Sequence, residues 1–199
     1  MTIDLAEDKK LRKAVRFVAM ANGSYFGVEF AVALAIGSVA LFADSIDFLE
    51  DTSINLLILM ALGWSARKRA RVGMALAVIL LVPAGATLWA AWQQFTLMMP
   101  PAPVPLSLTG LGAFAVNLTC AYMLARYRHH ESSLTKAAFL SARNDAIANI
   151  AIIAAGLLTA YTLSPWPDLL IGLAIAAMNA GAAAEVWAAA RKERLEIEA

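Results

Sequence analysis

The sequence has few charged residues and almost no cysteine. Of its 199 residues, 16% are charged and one, Cys120, is a cysteine, whereas soluble globular chains carry about 25% charged residues. A lone cysteine cannot form a disulfide within the chain, and the composition excludes a disordered protein and a nucleic-acid binder built on a basic surface. Hydrophobic residues make up 61% of the chain. This composition predicts an integral membrane protein.

Six stretches are apolar enough to be membrane helices, each of which needs about 20 residues. They cover residues 14–36, 38–64, 73–97, 106–126, 135–161 and 167–190. We therefore predict an all-α bundle of six transmembrane helices that forms one domain over residues 1–199. The first ten residues lack the layout of a signal peptide, so we expect the first span to stay in the membrane.

Lysine and arginine are concentrated on one side of these spans. Fifteen of the sixteen lie at the two termini, in the second and fourth connections, or within three residues of these at the ends of the spans, whereas the other three connections have none. The positive-inside rule assigns the basic side to the cytoplasm. We therefore expect both termini to be cytoplasmic, and we interpret the membrane as the inner membrane of a bacterium.

Ionisable residues inside the spans are the strongest functional signal. A charged side chain at mid-membrane costs about 2.5–3.5 kcal/mol on insertion scales. Such residues must face the bundle interior or water, share protons, pair or bind cations. Away from their ends, the first, second and fifth spans hold six acids and one arginine: Glu29, Asp44, Asp47, Glu50, Asp51, Asp145 and Arg143.

The acids of the second span share one face of a helix. Asp44, Asp47, Asp51 and Asn55 follow one another at intervals of three or four residues, which places them in one polar stripe. Glu50 is turned about 60° aside from Asp47, at the edge of that stripe.

The fifth and first spans carry further polar stripes. Ser141, Asp145 and Asn149 repeat every four residues, while Arg143 points about 200° away from Ser141 and cannot share that face. A weaker stripe in the first span consists of Asn22, Tyr25 and Glu29. These asparagines, together with Asn117 in the fourth span, are interpreted mainly as forming hydrogen bonds between helices.

Two oxygen-rich stripes on separate helices suit a divalent cation that loses its water inside a membrane. Clustered carboxylates repel one another, so they hold protons until a cation replaces them. The pattern therefore predicts a site that exchanges protons for metal. Glu50 and Arg143 are interpreted as an internal ion pair or as snorkelling side chains rather than as ligands.

Three strings resemble the transmembrane part of the cation diffusion facilitator family, whose members export zinc and related divalent metals in exchange for protons. GSVALFADSIDFLEDTSINLLILMAL, residues 37–62, is similar to the second helix of that family, and SSLTKAAFLSARNDAIANIAIIAAGLL is similar to its fifth. WPDLLIGLAIAA resembles the start of the sixth helix, with Asp168 at a position where the family often has an aspartate. Glu29 lies where many members carry a glutamate in the first helix.

The resemblance implies a metal site made of two residue pairs, Asp47 with Asp51 and Ser141 with Asp145. The family usually has a histidine where this sequence has Ser141. A serine hydroxyl is a poor ligand for zinc, so Ser141 completes the site directly or through water, and manganese or iron is admitted beside zinc. The cytoplasmic domain that follows the sixth helix in the family is absent from this sequence, so we expect no regulation through it.

The sequence thus predicts a proton-coupled exporter of divalent cations that works by alternating access, forms a homodimer, and needs no organic cofactor or nucleic acid. It is not expected to be an enzyme. Roles in proton coupling or in support of the metal ligands fall to Asp44, Glu29, Glu50, Arg143 and Asn149. Two alternatives stay open: a membrane scaffold in which Arg143 neutralises the acids, and a proton-coupled exporter of organic cations.

Overall fold

The computed structural model describes residues 5–61, 85–125 and 133–198, and within them the chain is entirely helical apart from short connections. This part of the chain contains six helices and no strand. They are α1 Leu5–Ile36, α2 Val39–Ala61, α3 85–97, α4 Pro103–Ala125, α5 Ser133–Thr162 and α6 Trp166–Glu198. The predicted all-α fold is confirmed.

The helix ends are where the prediction and the structure differ. Helix α1 begins at Leu5 instead of at residue 14, and α6 ends at Glu198 instead of at residue 190. The prediction followed apolar residues only, but the terminal segments are rich in Leu, Ala, Lys, Arg and Glu, which are good helix formers in water. Residues 62–64, 73–84 and 126, which were predicted as helical, lie outside the described residues.

Three of the described helices contain stretches that are long and apolar enough to cross a membrane: Lys10–Ile36, Pro103–Ala125 and Ala142–Thr162. A shorter apolar stretch, Trp166–Gly181, forms the first half of α6. Helix α2 has a comparable length but carries four acids, so its polarity points to the interior of the bundle.

The connection between α1 and α2 is tight. Gly37 has a positive φ of 68°, and the Ser38 N–H donates to the Ala33 carbonyl at 3.1 Å, which is the helix-ending motif that glycine favours. The Ser38 hydroxyl then accepts from the Leu41 N–H at 3.1 Å and caps α2. We call one end of the bundle the neutral end, because its connections contain no Lys or Arg. These connections are 37–38, 98–102 and 163–165.

The bundle is polar inside and apolar outside. Asn22 and Glu29 are completely buried, whereas Leu34, Leu108 and Leu157 are 61–63% exposed. A water-soluble bundle has the opposite distribution. Helix α2 packs against α1, α4, α5 and α6, helix α4 packs against α1 and α5, and α5 also packs against α6. Many of the buried polar residues therefore lie where α1, α2, α4 and α5 meet.

Candidate functional site

The stripe on α2 faces the interior as its spacing predicts. Asp44 is 0% exposed, Asp51 is 6% exposed and Asn55 is 1% exposed, while Asp47, between them, is half-buried. Because these residues are three or four positions apart on a regular helix, their side chains lie above one another over about three turns.

Asp44 is joined to α5 and α4 through two asparagines. The Asn149 amide donates to Asp44 Oδ2 at 2.5 Å, and the Asn117 amide donates to Asn149 Oδ1 at 2.9 Å. Both asparagines are buried. The predicted stripe on α5 therefore meets the stripe on α2 at Asn149, and the interpretation of Asn117 and Asn149 as links between helices agrees with these contacts.

Glu29 on α1 is buried beside Asp44, close enough for their carboxyl groups to hydrogen bond when one of them carries a proton. In the described part of the chain, both carboxyl oxygens of Glu29 and Asp44 Oδ1 have no hydrogen-bond donor. Two buried carboxylates in contact repel each other strongly, so a shared proton or a cation stabilises the pair.

Asp51 is held by a second set of contacts, about two helical turns along α2 from Asp44. The Asn22 amide on α1 donates to Asp51 Oδ2 at 3.2 Å, and the Cys120 thiol on α4 donates to Asn22 Oδ1 at 3.6 Å. The Asn55 amide donates to the Asp51 carbonyl at 2.7 Å. These contacts bring α1, α2 and α4 together around one carboxylate.

The weak stripe on α1 contacts three different partners. Asn22 contacts Asp51, Glu29 lies beside Asp44, and the Tyr25 hydroxyl donates to the Thr109 carbonyl at 2.6 Å. The stripe therefore serves as support along α2 and α4 rather than as one cluster.

Asp47 on α2 and Asp145 on α5 lie between these two sets of contacts. The carboxylates of Asp47 and Asp145 are close enough to repel each other, and those of Asp44 and Asp51 also repel the carboxylate of Asp47. Asp145 is half-buried. Ser141 belongs to α5, but its side chain lies outside the described residues. Among the side chains that are described, no group of three or more His, Cys, Asp or Glu is close enough together to hold a metal ion.

Arg143 does not form the expected ion pair with Glu50 in the described structure. Its side chain is exposed and its guanidinium donates to Asn144 Oδ1 at 3.2 Å. Glu50 is 7% exposed. The physical reason is the helical rotation already visible in the sequence, because Arg143 is turned away from the face of α5 that carries Asp145.

A separate polar cluster lies at the neutral end. Asp168 on α6 is fully buried and accepts hydrogen bonds from the Ser38 hydroxyl at 2.6 Å, the Val39 N–H at 2.8 Å and the Gln94 amide at 2.9 Å. Gln94 also donates to the Gly37 carbonyl at 3.4 Å. The cluster joins the start of α2 to α3 and α6.

Sequence reasoning missed the partners of these residues. Gln94 and Cys120 were given no role, although an amide within an apolar span is a signal of the same kind as a buried acid. Sequence position could not reveal that Cys120 lies beside Asn22, because 98 residues separate them.

Residues 15–192 match the family described as the cation efflux transmembrane domain. No curated protein matches the chain at a significant level. The match covers most of the chain and agrees with its apolar helices, which together identify an integral membrane protein. The chain therefore belongs to the cation efflux family, whose members are transporters of metal cations rather than enzymes.

Proposed function

We propose that this protein is a proton-coupled exporter of divalent metal cations, with a site made by Asp47, Asp51 and Asp145 and completed by Ser141. The observation that carries the proposal is the position of Asp47 beside Asp145, between two sets of helix-bridging contacts inside an apolar bundle. Carboxylates inside a membrane-spanning bundle are costly without a proton or a bound cation.

The metal is bound by carboxylates drawn from two helices. Asp47 and Asp145 are half-buried, so a cation can reach them without unfolding the bundle. On binding, Asp145 moves toward the cation, Asp51 keeps its hydrogen bond with Asn22, and Ser141 contributes its hydroxyl or a bound water. Oxygen ligands of this kind accept zinc, manganese and iron.

Protons replace the metal when it leaves. The carboxyl groups of Glu29, Asp44, Asp47 and Asp51 lie along about two turns of α2 inside the bundle and interact electrostatically. Their repulsion is relieved either by protons or by a metal cation. An exchange of metal for protons is therefore the energetically balanced cycle. Asn149, which donates to Asp44, supports this group.

The proposed arrangement in the membrane follows the distribution of basic residues. Six spans, both termini in the cytoplasm and the neutral end outside give an exporter that loads metal from the basic side, in the inner membrane of a bacterium. Alternating access then requires the helices to tilt around Asp47 and Asp145. In a homodimer, the second subunit would provide a fixed surface against which these helices move.

The two alternatives are less well supported. A scaffold neutralised by Arg143 needs its guanidinium among the acids, but it is exposed and bound to Asn144. A cavity of about 430 Å³ lies at the neutral end against α3, away from Asp47, so it gives no support to an exporter that binds organic cations at that aspartate.

Calorimetric titration of the purified full chain in detergent with Zn²⁺ and Mn²⁺ tests the proposal. We expect saturable binding by the wild type and its loss in Asp51→Asn, because one of three charged ligands is removed. The matched control is Asp168→Asn, which makes the same change in a buried aspartate at the neutral end, away from the three proposed ligands, and should retain binding. The proposal is wrong if the wild type binds neither metal, or if Asp51→Asn binds as tightly as the wild type.

A further inference from the structure

Three helices meet at a buried line of contacts that includes a thiol, an amide and a carboxylate. The Cys120 thiol on α4 donates to Asn22 Oδ1 on α1 at 3.6 Å, and Asn22 Nδ2 donates to Asp51 Oδ2 on α2 at 3.2 Å. Cys120 and Asn22 are 0% exposed, and Asp51 is 6% exposed. Water therefore does not compete for the two hydrogen bonds that involve Asn22.

The direction of these hydrogen bonds follows from the chemistry of the three groups. A carboxylate only accepts hydrogen bonds, and an amide has one donating and one accepting end. If Asn22 were turned over, its oxygen would face the carboxylate of Asp51 and its NH₂ group would face the sulfur of Cys120. The thiol donor on the opposite side therefore favours the orientation in which the amide donates to Asp51.

Asn55, which is also close to Asp51, does not perform the same task. Its amide donates to the main-chain carbonyl of Asp51 at 2.7 Å and so stabilises the helix rather than the carboxylate. Asn22 thus provides a hydrogen bond to the carboxylate from a different helix, so α1 contributes to the orientation of Asp51.

We propose that Asn22 is a positioning residue for Asp51, and that Cys120 sets the orientation of the Asn22 amide. The inference rests on the proposed function, since it takes Asp51 as a metal ligand. Residues that hydrogen-bond to a metal ligand keep it in the binding rotamer, and losing one typically weakens metal binding about 10–100-fold.

Metal affinity of the full chain in detergent, measured by competition with a zinc-binding dye, tests the role of Asn22. Asn22→Leu removes the amide and should weaken zinc binding about 10–100-fold. The matched control is Asn179→Leu, which removes another buried amide, one that donates to the Ala43 carbonyl at 3.2 Å. It should lower thermal stability in the same way but leave zinc affinity within about threefold of the wild type, since no proposed metal ligand loses a partner.

Two milder variants test Cys120 and keep the proposal falsifiable if Asn22→Leu does not fold. Cys120→Ala removes the donor and should weaken zinc binding severalfold, because the Asn22 oxygen then loses its partner and the amide is held less firmly against Asp51. Cys120→Ser keeps a hydroxyl donor at the same position and should restore affinity toward the wild-type value. A packing role alone would give Ala and Ser the same affinity, because both are slightly smaller than Cys.

The outcomes separate this inference from the proposed function. A wild type that binds neither Zn²⁺ nor Mn²⁺, or Asp51→Asn that binds normally, overturns both. Zinc binding that is lost in Asp51→Asn but unchanged in Asn22→Leu, or equal in Cys120→Ala and Cys120→Ser, overturns this inference alone.

Discussion

Ser38 and Asp168 are 130 residues apart in the chain, yet the serine hydroxyl donates to the aspartate carboxylate at 2.6 Å at the neutral end of the bundle. Asp168 lies in the first turn of α6 and also accepts from the Val39 N–H at the start of α2. A negative charge is favourable at the N-terminus of a helix, so one carboxylate stabilises the starts of two helices.

Replacing Asp168 should therefore destabilise the bundle. Asp168→Ala leaves the Val39 N–H, the Ser38 hydroxyl and the Gln94 amide without their acceptor, and each lost hydrogen bond of this kind costs about 1–3 kcal/mol. Thermal unfolding in detergent should show a clearly lower midpoint. The control is Gln93→Ala, an exposed neighbour, which should unfold like the wild type; equal midpoints for the two variants would show that the cluster contributes little.

The approach of α6 to α2 makes a second prediction about stability. A Cβ added at Gly172 would lie 2.7 Å from the Val39 carbonyl carbon and 2.8 Å from the Ala40 nitrogen. These are backbone atoms and cannot rotate away, so Gly172→Ala should cost about 1–3 kcal/mol. Chemical unfolding in detergent measures this change in the free energy of unfolding.

Gly27 is the matched control for Gly172. Nothing in the described structure lies within 4 Å of a Cβ added there, so Gly27→Ala should be neutral or stabilise α1 by about 0.5–1 kcal/mol. Finding that Gly172→Ala is the more stable of the two would contradict the close contact between α6 and α2.

A third prediction concerns the aspartates as one unit. If Asp47, Asp51 and Asp145 bind the same cation, neutralising any one of them should abolish most of the metal flux into or out of proteoliposomes rather than a third of it. Asp145→Asn is the most informative variant, because Asp145 is the aspartate that α5 contributes to the site. Flux near the wild-type value in Asp145→Asn would remove it from the site.

Transport should respond to a proton gradient. Protons that enter the carboxyl cluster relieve its repulsion when the metal departs, so an inward proton gradient should drive metal outward. Proteoliposomes with an imposed pH difference and a clamped membrane potential measure this. Metal flux that is the same with and without the pH difference would argue against exchange.

The fifth prediction concerns Ser141. Zinc accepts an imidazole nitrogen at about 2.0–2.1 Å, and nitrogen ligands favour zinc over manganese. Ser141→His should therefore raise the preference for zinc over manganese in competition binding, and Ser141→Ala, which adds no ligand, is the control. An unchanged preference in Ser141→His would show that this position does not face the site.

Several features of the protein could be predicted from its sequence because they depend on local geometry. The all-α fold follows from long apolar stretches, and the buried stripe Asp44, Asp51 and Asn55 follows from the helical repeat. The helix ends were less predictable, because apolarity marks where lipid ends and not where the backbone stops being helical.

The tertiary structure alone decided which polar groups meet. The contacts of Asn22 with Asp51, of Cys120 with Asn22 and of Ser38 with Asp168 join residues 29, 98 and 130 positions apart. A sequence shows which face of a helix is polar, but the partner across the interface depends on how far each helix is rotated and shifted against its neighbours. That arrangement results from side-chain packing over whole helices, as where Gly172 of α6 packs against the backbone of α2. It is not encoded in the residue spacing within any one helix.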